Sequence, residues 1–418
     1  MTGYTPPFPP RHSGDIPVTA LLGKARRNLL EVWGEEMFRN SGHVLNILGQ
    51  RILVCTSPAA IEAVLVTQAE IFARKPAPLR HALAPLLGDG LFLSEGPLWH
   101  ARRAVVGPAL EPAHLLAAAQ EAVLAFRAEA TPGVIDALAA MDRLAADMMC
   151  RVIFGVPAPS ILAGLAAAYR AKANPWLGPL LALRVSAEVR ALHALVDRLV
   201  ARGCIMKGLS PRACRHEAIS LFLAGQESIA GSLAWAWFLL AEAPGAEVAL
   251  HAELQASLAG RTPGPADIAG LPNTRAHLLE TLRLYPPMPL LGRVALRDTR
   301  ITDVAAPAGS LAIIPPWVVH RHHGHWDAPD EFLPARFMPG ALAPGPFAWL
   351  PFGLGPRGCP GQDLATRVLV LCFATLAQAF QLRLKPGHRV QPTSRLTLRP
   401  GDELPMILER RMGAAPGG

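Results

Sequence analysis

The chain has 418 residues, 51% of them apolar and only 17% charged, with a formal net charge of +8. That supplies apolar material for one large core or two ordinary ones, and too little charge for a solvated, disordered protein. The six cysteines are scattered and form no Cys-x-x-Cys pair, which argues against zinc-ribbon and thioredoxin-type chemistry and fits a reducing cytoplasm.

Residues 1–16 read as a proline-rich lead, without an apolar run of signal-peptide or anchor length. Leu45 to Thr56 is short and β-rich, which predicts strands. Ser57-Pro58 then opens a helix from Ala59 to Leu65, serine capping and proline in the first turn. Residues 74–98 read as loop, because Pro76, Pro78, Pro85 and Gly88-Asp89-Gly90 interrupt them. Alanine- and leucine-rich helices dominate from Trp99 to about Ala259.

Ile219 to Ala241 is the longest apolar stretch, and Gln226 and Glu227 near its middle favour a buried core helix over a membrane span. After Pro286 short strands appear near Val294–Ala295, Ile301 and Leu311–Ile314. Pro329 to Pro351 reads as coil, and a helix runs from Gln362 to Phe380. The tail, Leu396–Leu398 and Met406–Leu408, alternates as a hairpin would.

The arginine pairs Arg26-Arg27, Arg102-Arg103 and Arg410-Arg411 serve solubility or form a basic docking face for an acidic electron-transfer protein. No nucleic-acid-binding motif accompanies them.

Phe352-Gly353-Leu354-Gly355-Pro356-Arg357-Gly358-Cys359-Pro360-Gly361 places one cysteine in a loop of four glycines and two prolines, just before a helix. A helix N-terminus favours negative charge, and such surroundings or a metal lower a thiol pKa. A glycine loop before a helix can also be only a turn. Three further patterns carry candidate chemistry. Glu280-Thr281-Leu282-Arg283 puts opposite charges at i, i+3 among apolar neighbours, a surface pair or a buried one. Trp99 and Arg103 are i, i+4 and share a helix face, so indole N–H and guanidinium can donate to one anion. Phe222 to Gly231 places Gln226, Glu227 and Ser228 as a polar island in an apolar helix.

The ten residues Phe352 to Gly361 resemble the haem-binding signature of the cytochromes P-450 at every defining position. The other three patterns resemble that family's remaining motifs, and the resemblance spans roughly Pro17 to Arg410. It implies a mainly α fold with small β-sheets, a single large domain over residues 17–410, and a flexible tail over 411–418. Cys359 would be the axial thiolate ligand of haem b iron, in a loop framed by Phe352 and Gly361. Trp99, Arg103, Arg293 and Arg357 would contact the haem propionates. Glu280, Arg283 and Arg336 would form a buried structural triad.

Ala224 and Gly225 would leave room for dioxygen, while Glu227 and Ser228 would relay protons toward the reacting oxygen. Serine stands where threonine is usual. By position, the pocket wall is Phe92, with Leu91 and Leu93 beside it, then Leu221, Ala224, Met288, Leu290, Leu291 and Leu396. These residues imply a hydrophobic small-molecule substrate.

The activity implied is that of a soluble, bacterial-type, cytoplasmic monooxygenase. It would be a monomer taking NAD(P)H electrons through a separate ferredoxin or flavodoxin and its reductase. A peroxide-using or dehydratase variant and a non-catalytic haem-binding sensor are the alternatives. His320, His322, His323 and His325 could bind zinc but match the family's ordinary His-Arg run. The stretch from about Ser160 to Leu209, where the family places its lid, is short.

Overall fold

The computed structural model describes residues 3–14, 16–47, 49–159, 187–394 and 397–411. Within them the order is α1 (Val18–Arg27), β1 (Gly42–Ile47), β2 (Gln50–Cys55), α2 (Pro58–Glu62), α3 (Ala77–Leu87), α4 (Gly96–Ala109), α5 (His114–Glu129), β3 (Gly133–Asp136) and α6 (Ala137–Phe154). Then come α7 (Ala187–Arg202), α8 (Pro211–Glu242), α9 (Pro244–Leu258), α10 (Pro272–Leu284), β4 (Leu291–Val294), β5 (Thr299–Ile301), β6 (Val304–Ala306), β7 (Leu311–Ile314) and α11 (Pro316–Val319). The chain closes with α12 (Gln362–Ala379), β8 (Phe380–Leu384), β9 (Thr393–Ser394), β10 (Leu398–Arg399) and β11 (Pro405–Arg410).

Helix α8 is the axis of the molecule. Its 32 residues make a rod of about 48 Å at 1.5 Å per residue. Ser210 caps it, accepting from the Ala213 amide at 3.4 Å, with Pro211 in the first turn. Every residue from Ile229 to Leu240 is buried, so an all-round apolar sequence becomes a core helix. Helix α6 packs along it, and Trp235 stacks on Tyr285 just past α10 at 3.5 Å. No single helix among the described residues is long and apolar enough to cross a membrane.

The sheets lie at the margins of this helical body. β1 and β2 form a hairpin, β2 runs parallel to β7, and β4 closes that sheet antiparallel to β7. The Val294 amide donates to the Arg74 carbonyl at 2.8 Å and Gly292 lies close to Pro76, which sets β4 against the segment between α2 and α3. A second sheet runs β3-β11-β8.

Three expectations change. Residues 74–98 hold α3 and the start of α4 rather than a loop. Pro78 lies in the first turn of α3, where no N–H partner is needed, and Pro85 falls in its last turn, while Leu83, Leu86 and Leu87 bury against the core. The tail segments do not pair with each other: Leu398 pairs with Ser394, whereas Met406 to Leu408 pair with β8 and β3. Alternation marks a strand but does not name its partner. The strand β3, inside the stretch read as helical, is closed by Asp136, which caps α6.

No group of three histidine, cysteine or acidic side chains placed to hold a metal occurs among the described residues. His320, His322 and His325 each bond a backbone carbonyl instead.

Candidate active site

The cysteine loop is built by backbone geometry that favours glycine. Gly353 and Gly355 sit at φ 67° and 68°, and a Cβ on Gly355 would collide with the carbonyl oxygen of Leu65. The loop closes when the Cys359 amide donates to the Phe352 carbonyl at 2.8 Å. Gly358 is tied at 2.9 Å to Gly355, and Gly361 accepts from Ala365 in the first turn of α12. Arg103 of α4 reaches across and donates to the Gly358 carbonyl at 2.7 Å.

The Cys359 side chain faces accessible space, although protein atoms surround it on most sides. Burial pushes its thiol pKa up, and the Gly361 amide and Arg103 only oppose this. Burial here outweighs the Gly361 amide and Arg103, and of the two influences expected to favour the thiolate, the surroundings or a metal, a bound metal is the stronger.

Beside this loop lies a cluster of cations. Lys75 is enclosed, and burial with the nearby Arg293 and Arg357 lowers its pKa well below the ordinary range. Burial and Arg357 bring Arg293 down to about 10. Arg357 lies over the Trp99 ring at 4.5 Å and donates to the Ser94 carbonyl at 3.2 Å. Lys75 was not singled out in the sequence, since it sits in a stretch read as loop and belongs to no pattern. Arg103 differs from its companions, being turned to the cysteine-loop backbone.

Along α8, Leu221, Ala224 and Ser228 keep accessible surface, Ala224 most of all. A Cβ on Gly225 would strike the Met149 thioether of α6, so this glycine serves close helix packing. Of the Ala224-Gly225 pair, Ala224 is the residue that opens on accessible space. Glu227 accepts from Thr397 at 2.9 Å and pairs with Arg399 at 3.2 Å, while Arg399 also grips Asp142 at 2.9 Å. The amide of Gln226 donates to the same Asp142 at 2.9 Å. This network joins α6, α8 and β10; of its members the sequence marks Gln226 and Glu227 as part of a polar island, and Ser228 lies beside it. Ser232 donates to the Ser228 carbonyl at 2.7 Å, one turn back.

The structural triad is assembled on α10. Glu280 and Arg283 are both fully buried and form a fork, Nε to Oε2 at 2.7 Å and Nη2 to Oε1 at 2.8 Å. Arg336 reaches the same carboxylate at 3.4 Å.

Of the pocket residues, Phe92 lies with its ring 3.1 Å from the Lys75 ammonium. Leu290 packs against the main core and Leu291 against a smaller cluster that holds Leu53, Ile61, Leu65 and Ile314, and Met288 keeps some accessible surface. Leu396 lies outside the described residues, as does the lid stretch up to residue 186.

The family profile for cytochrome P-450 matches residues 16–166 and 188–404. The chain belongs to the cytochrome P-450 family. It is 31% identical over 375 residues to cyclooctatin synthase of Streptomyces melanosporofaciens, covering 80% of this chain and 81% of that one. It is 34% identical over 206 residues to cyclooctat-9-en-7-ol 5-monooxygenase of the same organism, covering 49% and 45%. The zebrafish cytochrome P-450 solved with abiraterone matches with a TM-score of 0.77 at 23% identity, over 89% of this chain and 96% of that one. A mutant haem domain of cytochrome P-450DA matches at 0.79 and 23% identity, over 98% and 99%.

This cytochrome P-450 is thus an oxidoreductase of the monooxygenase type, and membership of the family implies haem. The residues present fit that group. Lys75 and Arg293 are drawn down by burial and by neighbouring positive charge, as suits a site that receives carboxylates. The loop that carries Cys359 packs so closely on the Leu65 backbone that position 355 admits no side chain.

Proposed function

We propose that this P-450 inserts one oxygen atom from dioxygen into a hydrophobic small molecule, by hydroxylation or epoxidation. The observation that carries the reading is the pairing of the glycine-built Cys359 loop with the cations Lys75, Arg293 and Arg357. Cys359 would ligate the iron of haem b, and the cations with Trp99 would hold the propionates. Bound haem would supply the oxidation chemistry, its thiolate ligand favouring O–O cleavage. Phe352 and Gly361 would frame the ligand loop.

Glu227 and Ser228 would move protons. The carboxylate, held by Thr397 and Arg399, would take a proton from water, and the Ser228 hydroxyl would pass one inward. Leu221, Ala224, Phe92, Met288, Leu290 and Leu291 would line an apolar pocket, with Leu396 closing its far side. The name of one relative, acting on cyclooctat-9-en-7-ol, fits an apolar substrate of this kind. Electrons would come from NAD(P)H through a separate ferredoxin or flavodoxin and its reductase, in a monomeric, cytoplasmic, bacterial enzyme whose haem domain spans 17–410.

The test is a reduced carbon-monoxide difference spectrum followed by a ligand panel watched for the low- to high-spin change. A thiolate-type Soret band is expected; its absence overturns the reading.

Serine at 228 lacks the methyl that fixes χ1 in threonine. A looser hydroxyl rotamer costs on the order of 0.5–1.5 kcal/mol of positioning. Ser228→Thr is therefore expected to raise product formed per NAD(P)H consumed about two- to ten-fold, with less peroxide released. Coupling identical to wild type would remove any role for that rotamer.

A further inference from the structure

The segment Gly88–Glu95, between α3 and α4, crosses the first turns of α8. Three contacts bind it there. The Asp89 amide donates to His216 Nδ1 at 3.1 Å, and the Leu91 amide donates to Glu217 Oε2 at 2.9 Å. Gly90 lies so close to α8 that a Cβ on it would collide with the Ser220 hydroxyl. Phe92, which follows Leu91, gives both its ring and its carbonyl to the Lys75 ammonium.

Glu217 is the centre of this arrangement. It has no solvent-accessible surface, and its second oxygen stands 3.3 Å from Arg102 Nε of α4 without making a hydrogen bond. Arg102 directly precedes Arg103, which holds the cysteine loop. One carboxylate therefore touches α8, the pocket-wall segment and the helix that braces Cys359. Burial raises its pKa, against the Leu91 amide and Arg102. A buried acid is costly to keep, and an apolar residue of similar volume is often as stable or more so. The shape of the contact gives a reason to keep it: an amide acceptor fixed on the rigid α8 sets where Leu91 to Leu93 lie.

We propose that Glu217 is a positioning residue that fixes Leu91–Leu93 against α8 and thereby sets which ligands the pocket accepts. This rests on reading that segment as pocket wall.

The test uses the haem-loaded protein and the variants Glu217→Ala and Glu217→Gln. Amide hydrogen exchange is followed across residues 88–95, and dissociation constants are read from Soret shifts for one compact and one bulky azole. With alanine, exchange at residues 89–93 is expected to quicken about ten-fold or more, and the affinity ratio of the two azoles to shift about ten-fold. Glutamine keeps an acceptor for the Leu91 amide, so its exchange and affinity ratio are expected within about two-fold of wild type.

The proposal falls if alanine leaves segment and ratio unchanged, if exchange quickens equally throughout the protein, or if glutamine behaves as alanine does. If the alanine variant does not fold, Glu217→Leu fills the volume without accepting a hydrogen bond and carries the same two readouts. A wild type lacking a thiolate-type band would defeat the function proposed above, while segment exchange would still report on Glu217.

Discussion

Arg283→Ala should yield little soluble protein, and what folds should hold little haem. All five N–H groups of this guanidinium are used. Two go to the Glu280 carboxylate, at 2.7 and 2.8 Å, and the rest go to the carbonyls of His320, Pro329 and Glu331 at 2.7 to 2.8 Å. The side chain has no exposed surface. Alanine would leave the Glu280 carboxylate buried with Arg336, at 3.4 Å, as its remaining cation in this triad.

Breaking a buried pair of this kind costs about 3–5 kcal/mol. Three orphaned carbonyls add to that, and a domain has only about 5–15 kcal/mol in total. The carbonyls come from the stretch 320–331 that leads toward the cysteine loop, so haem loading should fail with the fold. Soluble yield, urea midpoint and haem content check this. Arg283→Lys keeps charge but not the fork, and should recover only part of the loss. An alanine variant that is fully haem-loaded and as stable as wild type would refute the argument.

The features legible in the sequence are those whose chemistry is local. The Cys359 loop is ten consecutive residues, and Glu280-x-x-Arg283 is one helix turn. Helix α8 announces itself by length and apolarity. What stayed hidden depends on partners far apart in the chain. Leu91 meets Glu217, and Thr397 and Arg399 meet Glu227, across more than a hundred residues with no spacing rule to reveal them.

Lys75 is a lone cation until Arg293 and Arg357 arrive from β4 and the cysteine loop. The prolines of α3 resemble loop punctuation in the sequence, yet they fall in its first and last turns. The thiol of Cys359 shows a further limit. Helix-end and arginine effects are visible in sequence, whereas the desolvation that outweighs them needs the packed structure.

Mild acid is expected to unfold this protein, chiefly through two histidines. Burial lowers the pKa of His320 to about 3 and that of His277 to about 4. The unfolded value is about 6.5, so below that pH the unfolded chain takes up protons that the folded chain refuses. Stability is therefore complete above about pH 6.5, falls as pH drops, and stops falling through each group once its folded pKa is reached.

At pH 4.5 both rings are still neutral when folded, and the two together remove about 5 kcal/mol, at 1.36 kcal/mol per pH unit each. His251, drawn down to about 4 by burial, adds a smaller share because it is partly accessible.

His320 joins this loss to the site. Its Nδ1–H donates to the Arg283 carbonyl at 2.9 Å, and its Nε2 accepts from the Leu350 amide at 2.9 Å. A proton on Nε2 would face that amide and push Leu350 away, loosening the run into Phe352 and Cys359. Haem should therefore be released in the same pH range as the unfolding. Urea unfolding at pH 7 and pH 4.5, followed by circular dichroism and the Soret band, measures both. A His277→Gln, His320→Asn double variant should be less stable at pH 7 yet lose about 5 kcal/mol less than wild type between the two pH values. Equal losses in the two proteins would assign the acid sensitivity to other groups.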